Sequence, residues 1–336
     1  MDDTPDAFAF TPLVDVDLGT TVFSNIVTLA GFIDQLIAQV SSAADAELLV
    51  GGTLAGTTAV VSAGDTIQIR MTAPSAFSAQ ETALVAVGQT SATWVVATKE
   101  VIEVTITSNV NDVVVAQLFG DPTQAGRFRV TIASGAVVCA SSRSNAALRT
   151  GTFPGGSELE IVNNGRIQGK GGKGGNAPPC TNCSLQPGEA GGPALEVTMS
   201  ITVVNNGDIW GGGGGGQGSA AWWNHGAGGG GGAGCDPGAG GSASTGDQGG
   251  RNTVGQGAGQ PGTLTAGGTG GVTSTGGLET LCGGSGGGPG EAGFNGSNDR
   301  CSNRDAIRSG GAAGAAVVGD AMILWTAVGG RLGPIL

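Results

Sequence analysis

The sequence predicts an all-β protein: an N-terminal β-sandwich, a short β module, and a glycine-rich tip built from layered polyglycine II segments. Three observations support this prediction. Short apolar runs separated by Gly, Asp, Ser and Pro recur through residues 1–162, as in strands joined by turns. A unit of strand, Asn-Asn-Gly and second strand occurs twice. Glycine accounts for 68 of the 336 residues, and for 48 of the 145 positions in 166–310.

The first predicted domain is a β-sandwich over residues 1–100. Residues 66–71 alternate, which places Ile67 and Ile69 on one face of a strand, and Trp94 is the natural core anchor. Turn signals separate the strand-like runs at about the 8–12-residue spacing expected of a sandwich. The predicted strands are 8–10, 22–29, 48–50, 58–61, 66–71, 83–87 and 93–98.

One segment of this domain fits two structures. Apolar residues follow a helical period through residues 26–40, so a short helix is one interpretation. A strand followed by a loop is the other. The periodic residues are Ile26, Leu29, Ile33, Leu36, Ile37 and Val40.

The second predicted domain is a connecting β module over residues 101–162, and the third is a glycine-rich tip over residues 163–336. Apolar runs continue through the module with the same turn chemistry. We therefore predict five further strands, at 101–107, 113–119, 128–132, 136–139 and 159–162.

An internal repeat organises the start of the tip. The run from Leu159 to Gly169 matches the run from Ile201 to Gly211, and each holds an Asn-Asn-Gly turn followed by a short strand and a glycine tract. Asn-Gly favours a tight turn because both positions accept positive φ. Residues 322–333 resemble a third copy with altered turn chemistry. Units of this kind bury their faces by stacking on one another, so we expect a layered assembly.

The glycine tracts themselves have two interpretations. Glycine-rich composition is typical of a flexible linker. The runs 211–216 and 228–232 are pure glycine without a collagen-like period of three, which excludes collagen. Because no Cβ intervenes, extended polyglycine II helices can pack side by side and satisfy one another's backbone groups. We predict this lattice, since it explains why the tracts are nearly pure glycine.

Charge and composition exclude several functions. The net charge is −12, and the chain has three lysines, so it is not expected to bind nucleic acid. No stretch is long and apolar enough to predict membrane insertion, and the N-terminus lacks the pattern of a secretory signal. His225 is the one histidine, and no nucleophile–base pair or nucleotide motif stands out. We therefore predict neither enzymatic activity nor a cofactor or metal.

Cysteines lie in or beside the glycine tracts, where cross-links would compensate for a core poor in side chains. Zinc binding at the C-x-x-C pair is disfavoured because no second pair or histidine cluster accompanies it. Free buried thiols remain the alternative, and six cysteines allow 15 pairings. The possible disulfide cysteines are Cys180, Cys183, Cys235, Cys282 and Cys301.

Large side chains that interrupt the glycine tracts are the candidate recognition residues. Exposed aromatic residues on a rigid support often bind sugars or protein surfaces; the alternative is that the rings form a small core capping the glycine layers. A second polar loop near residue 300 is either a contact surface or a solvated turn. The candidates are Trp210, Trp222, Trp223, Asn224, His225, Arg300 and Arg304.

Several segments follow one another in a characteristic order: 130–135 with 150–157, both Asn-Asn-Gly units and their tracts, 191–195, and the ending 310–335. In this order, residues 128–336 resemble the glycine-rich C-terminal region of tailed-bacteriophage tail fibre and tail-tip host-specificity proteins. Residues 1–100 are similar, more weakly, to small immunoglobulin-like β modules of phage and bacterial surface proteins.

The resemblance implies a receptor-binding virion protein on the phage tail, made in the host cytoplasm without a signal peptide. It implies a homo-oligomer, by family habit a trimer, whose variable loops at 176–190, 219–227 and 297–308 contact a bacterial surface glycan or outer-membrane protein. The N-terminal domain would attach to other tail proteins. A head fibre or decoration protein without a receptor is the main alternative, and an ice-binding or secreted matrix protein is a further one.

Overall fold

The chain is all-β, as predicted, and divides into two units, Met1–Val101 and Ile102–Leu336. Regular helix within the described part of the chain is limited to one short α-helix and one 3-10 helix. The computed structural model describes residues 4–43, 45–177, 186–219, 225–245, 253–254, 257–275, 279–297, 301 and 309–336.

Ten short strands build two sheets in the first unit. One sheet has the order β1-β10-β9-β4-β7 and the other has β2-β8-β5-β6, with β3 also pairing with β8. The strands are β1 (Leu13–Val16), β2 (Thr21–Phe23), β3 (Val27–Thr28), β4 (Leu36–Ser41), β5 (Glu47–Val50), β6 (Thr53–Gly56), β7 (Thr58–Val61), β8 (Thr66–Thr72), β9 (Gln80–Val87) and β10 (Thr90–Thr98).

A single hydrophobic cluster joins the two sheets. Alternation along β8 buries Ile67 and Ile69, while β9 and β10 bury Val85 and Trp94 from the other sheet. Trp94 is fully buried, and its indole N–H donates to the carbonyl oxygen of Thr11 over 3.1 Å. Its predicted place in the core is confirmed, and the two sheets pack face to face.

The helical interpretation of residues 26–40 is wrong. β3 ends at Thr28, a loop follows, and β4 begins at Leu36. Gly31 has a φ of +85°, which interrupts any helix. Ile33 is 86% exposed, so the apolar period does not face the core. The predicted strand 8–10 is also wrong, since these residues pair with no strand.

The second unit contains the remaining strands. The α-helix α1 is Val115–Leu118, and the 3-10 helix is Asp320–Met322. The strands are β11 (Ile102–Ile106), β12 (Val110–Asn111), β13 (Val113–Val114), β14 (Arg127–Ile132), β15 (Val137–Cys139), β16 (Leu148–Arg149), β17 (Glu158–Asn163), β18 (Arg166–Gln168), β19 (Leu195–Glu196), β20 (Ile201–Asn205), β21 (Asp208–Trp210), β22 (His225–Gly226), β23 (Ser244–Thr245), β24 (Thr253–Val254), β25 (Val272–Thr275), β26 (Glu279–Cys282), β27 (Val317–Val318), β28 (Ile323–Ala327) and β29 (Gly330–Leu332).

Successive turns of chain stack in parallel to form a three-sided β-solenoid. Its sides are the sheets β11-β14-β17-β20-β28, β12-β15-β18-β21-β29 and β13-β16-β19-β27. Each pairing between neighbours in these sheets is parallel, because each strand pairs with its counterpart one turn later. We call this body the solenoid.

Alternating residues on all three sides fill the solenoid interior. Ile161 and Val203 come from one side, Ile167 and Ile209 from the second, and Leu195 from the third, all fully buried. These apolar stacks run between neighbouring turns and hold the solenoid together through burial of side chains.

The Asn-Asn-Gly repeat lies at one corner of the solenoid. Asn163 and Asn205 are buried one above the other, and the Asn163 amide donates to Asn205 Oδ1 over 2.8 Å. Asn205 donates in turn to the carbonyl oxygen of Val328 over 2.6 Å. The segment predicted as a third copy supplies that carbonyl, since β28 and β29 pair with β20 and β21.

The predicted strand 113–119 is wrong beyond Val114. β13 ends there and α1 follows, because the chain turns inward and buries Val115 and Ala116. Phe119, after α1, packs against Phe128 with ring centroids 5.0 Å apart.

Two long insertions leave the solenoid, one between β18 and β19 and the other between β21 and β27. Both consist mainly of extended glycine-rich segments that lie side by side; together they are called the glycine lattice. The described segments are 169–177, 186–194, 211–219, 226–234, 236–243, 257–264, 266–271, 283–288, 290–297 and 309–316.

Backbone hydrogen bonds between these segments repeat every third residue. Gly213, Gly216 and Ser219 donate to one neighbour over 2.7–2.8 Å, and the two residues between each pair donate to two other neighbours. The segment 211–219 therefore meets six others. It donates to 186–194, 226–234 and 290–297, and it accepts from 169–177, 283–288 and 309–316.

Position in the lattice determines which residues are glycine. A Cβ atom on Gly214 would lie closer than 3.0 Å to the carbonyl oxygen of Gly311, a separation that Cβ atoms essentially never show. At the lattice edge, Lys170, Lys173 and Asn176 face outward three residues apart, with buried residues between them. At the lattice edge, every third residue is therefore free to carry a side chain. In the pure glycine runs the same three-residue repeat exists in the hydrogen bonds but leaves no trace in the sequence.

Replacing Gly214 with alanine should destabilise the second unit by about 1–3 kcal/mol, because the methyl group meets backbone that cannot move aside. Denaturant unfolding measures the change. Gly155→Ala is the matched control, since a Cβ there has nothing within 4 Å. Equal stability of the two variants would contradict the packing described.

Asn205→Ala should cost about 1–3 kcal/mol, because the buried amide of Asn163 and the carbonyl of Val328 lose their partner. Asn206→Ala is the control, as its amide bonds Asn164 at the exposed surface, and it should change stability by less than about 0.5 kcal/mol. Thermal unfolding of both variants tests this expectation; a larger loss from Asn206→Ala would refute it.

Candidate functional site

The longer connections of the glycine lattice emerge at one end. Neighbouring segments that follow one another in the chain are antiparallel: Gly213 donates to Ala233, whereas Ser219 donates to Ala227. Segments leaving the solenoid and segments returning to it therefore alternate. The end away from the solenoid is called the distal end, and its connections lie between residues 177 and 186, 219 and 226, 243 and 257, 271 and 283, and 297 and 309.

Small antiparallel pairs of strands cover part of the distal end. β22 pairs with β23, and β24, β25 and β26 form a three-stranded sheet. Isolated bridges join Gln186 to Gly218 and Cys282 to Ser297. Ordinary β pairing thus takes over where the glycine segments end.

Polar side chains terminate the glycine segments at the distal end. Asn176 Oδ1 accepts from the Ser242 amide over 2.9 Å, and Ser219 Oγ accepts from the Ala227 amide over 2.8 Å. These side chains supply acceptors where the next backbone carbonyl is missing. The sequence placed both residues at the start of implied contact loops but did not indicate this capping role, although each comes directly after a glycine tract.

Most predicted contact residues belong to two distal connections. The described residues that flank the connection between 219 and 226 lie at the same end of the lattice as those that flank the connection between 297 and 309, although the two are far apart in sequence. His225 starts β22. The residues that lie outside the described part of the chain are Trp222, Trp223, Asn224, Arg300, Arg304, Cys180 and Cys183.

Trp210 lies elsewhere, in β21 of the solenoid. The guanidinium of Arg166 stacks over its ring at 3.8 Å, and Arg166 also lies 3.6 Å from the Asp208 carboxylate. This stack bridges two neighbouring turns of the solenoid. The structure therefore does not bring Trp210 together with the distal connections.

Two disulfides join described cysteines at opposite ends of the lattice. Cys235, in a short turn at the solenoid end, is bonded to Cys139 at the end of β15. Cys282, at the distal end, is bonded to Cys301. Sequence analysis left Cys139 out of the candidate set because it lies far from the glycine tracts, and only the solenoid's stacking brings it near Cys235.

Charged side chains lie beside the first disulfide. Lys170 pairs with Asp236, and Arg143 pairs with Glu189 over 3.1 Å, next to a shallow depression of about 500 Å³. Asp112 accepts from the hydroxyl and the amide of Ser141, which holds the pKa of its carboxyl below the ordinary value. The Arg143–Glu189 pair joins the solenoid to the lattice, whereas Lys170–Asp236 joins two lattice segments and Asp112–Ser141 lies within the solenoid.

The described residues contain neither a cluster of metal ligands nor a membrane-spanning helix. Among them, no group of three or more His, Cys, Asp or Glu side chains could hold a metal ion. Nor does any helix in the described ranges have the length and apolar character needed to cross a membrane. At the distal end, the glycine lattice holds the described ends of its longer connections beside one another.

A known protein family matches most of the chain. Residues 101–336 match the family described as phage tail fibre adhesin Gp38. The chain belongs to the Gp38 phage tail fibre adhesin family. The match spans the whole second unit, while residues 1–100 lie outside it. Neither the curated proteins nor the solved structures compared with the chain include a significant match.

Family membership confirms the resemblance to phage tail fibre proteins that the sequence predicted. The protein is a tail fibre adhesin of the virion tail, a role that calls for binding to the host surface and to other tail proteins. An adhesin role of this kind requires no catalytic site.

The double variant Cys139→Ser/Cys235→Ser should lower the free energy of unfolding of the second unit by about 2–5 kcal/mol, because the bond closes a long loop between solenoid and lattice. Urea unfolding of wild-type and variant protein, both kept oxidised, measures the loss. An unchanged midpoint would show that the bond does not fasten the two parts.

Proposed function

We propose that the protein recognises the host bacterium through its distal connections, which the glycine lattice holds as a rigid support. One observation carries this proposal: the longer connections emerge together at the end of the lattice away from the solenoid, whereas short turns lie at the solenoid end. Three of these connections overlap the loops 176–190, 219–227 and 297–308 that the resemblance implied, although residues 186–190 belong to a lattice segment.

The lattice segments are proposed to be polyglycine II helices. Hydrogen bonds spaced every three residues, and six neighbours around the segment 211–219, support this assignment. Each helix is braced on several sides by backbone, so its ends hold their positions without a hydrophobic core of their own.

Candidate receptor contacts follow from this placement. Trp222, Trp223 and Asn224 precede β22, which begins with His225. Paired tryptophans can anchor a glycan or an outer-membrane protein with little loss of conformational freedom. Arg300 and Arg304 come from the connection between 297 and 309 and would add charged contacts at the same end.

The N-terminal unit is proposed to be an immunoglobulin-like domain that attaches the adhesin to another tail protein. Ile37 and Val60 face each other across β4 and the edge strand β7, and they are 64% and 62% exposed. Exposed apolar pairs beside a free sheet edge are typical of protein-binding surfaces. A homotrimer is proposed on family habit alone.

Purified full-length protein, added in excess, should bind host cells at micromolar concentration and block adsorption of the phage that carries it. Gold labelling of the protein on intact virions should mark the tail tip. Label on the capsid, or absence of cell binding, would contradict the proposal and favour a structural head protein.

Trp222→Ala/Trp223→Ala should weaken host-cell binding by about tenfold or more, as expected for loss of aromatic anchors. Trp210→Ala is the control, because that ring lies in the solenoid beneath Arg166, and its binding should stay within about twofold of wild type. Flow cytometry with labelled protein compares the three. The reverse order of effects would move the contact surface to the solenoid.

A further inference from the structure

The disulfide at the distal end joins two elements that differ in their surroundings. Cys282 is buried and is the last residue of β26, directly before the segment 283–288. Cys301 is half-buried and comes from the connection between residues 297 and 309. Its Sγ lies 3.8 Å from the carbonyl oxygen of Thr280, also in β26. The bond therefore fastens that connection to the small distal sheet.

The position of Cys301 within its connection gives the bond its effect. Ser297, the last residue of the preceding segment, is bridged to Cys282, so both Ser297 and Cys301 meet the end of β26. The chain between them is short and closed at both ends. The disulfide adds a fixed point within the connection, besides its two ends at residues 297 and 309, and a fixed point of this kind lowers the conformational entropy of a loop.

The residues beside this fixed point are those with candidate contact roles. Arg300 immediately precedes Cys301, and Arg304 follows it by three positions. A fixed backbone at Cys301 limits where the two guanidinium groups can reach. Ordering of this kind before binding increases affinity because less freedom is lost in the complex.

We propose that the Cys282–Cys301 disulfide is a positioning element of the receptor-binding surface, so that full host binding requires its oxidised form. This inference rests on the proposed recognition role of the distal connections. It assigns a different role to the Cys139–Cys235 bond, which fastens the lattice to the solenoid at the opposite end.

The Cys282–Cys301 disulfide is expected to form after the protein has been synthesised. Bacterial cytoplasm keeps thiols reduced, so the bond forms when the protein meets an oxidant outside it. With a disulfide oxidant such as oxidised glutathione, the two thiols lose two protons and two electrons. One Sγ–Sγ bond forms, and the oxidant's S–S bond is broken to give two thiols. Host binding should then rise as oxidation proceeds.

Trypsin cleavage at Arg300 and Arg304, followed by mass spectrometry, tests the local effect without a receptor. In full-length Cys282→Ser/Cys301→Ser, cleavage at these two sites should be about tenfold faster than in the oxidised wild type. Without the disulfide, the chain around both arginines should adopt a protease-accessible conformation more often. Cys139→Ser/Cys235→Ser should cleave at the wild-type rate there. Equal rates in the wild type and Cys282→Ser/Cys301→Ser would overturn the proposal.

Host-cell binding provides the second arm. Cys282→Ser/Cys301→Ser should bind about tenfold more weakly than wild type. Cys139→Ser/Cys235→Ser should keep wild-type binding and lose more stability, because its bond closes the longer loop. Unchanged binding by Cys282→Ser/Cys301→Ser would also overturn the inference. If no protein binds cells but the cleavage rates differ, the recognition role fails and the positioning of the connection stands.

A reversible test guards against misfolding of the serine variants. Wild-type protein is treated with dithiothreitol and then with oxidised glutathione, and mass spectrometry follows the Cys282–Cys301 cross-link. Cleavage at Arg300 and Arg304 should accelerate on reduction and slow again as this cross-link returns. A cleavage rate independent of the cross-link would contradict the proposal.

Discussion

Close approach between backbones is the constraint on which the rest of this structure depends. In the glycine lattice the carbonyl oxygen of one segment occupies the place where a neighbour's Cβ would be, as between Gly311 and Gly214. The backbone amides donate to carbonyl oxygens on adjoining segments, and every third amide donates to the same neighbour. Stability comes from satisfied backbone groups rather than from buried side chains, and residues with side chains are confined to the edges and the ends.

The solenoid supplies the register from which the lattice starts. β18 and β21 run directly into the segments 169–177 and 211–219, and the parallel ladder continues across the junction as Gly169 donates to Trp210 over 2.9 Å. Buried Asn163 and Asn205 fix the same register one corner earlier. Because strand pairing sets the first residues of the segments, an error of one residue would bring the wrong faces together along the whole lattice.

The sequence predicted those parts of the fold that leave a local signal. The Asn-Asn-Gly repeat predicted stacked units, and Trp94 was placed correctly in the first core. The earlier turns of the solenoid carry no such repeat, and α1 follows apolar residues indistinguishable from a strand. Ile33 and Ile37 suggested a helix face because periodicity does not report which side is buried. The position of the distal connections depends on which segments run out and which return, and the pairing of Cys139 with Cys235 depends on contacts between residues remote in sequence.

Amide hydrogen exchange along the glycine tracts tests the central claim most directly. If backbone bonds hold the lattice, the amides of 211–216 and 228–232 should be as protected as those of β17 and β20 in the solenoid, although they belong to glycine. Exchange of these amides at the rate of an unstructured glycine linker, with the solenoid still protected, would contradict the account.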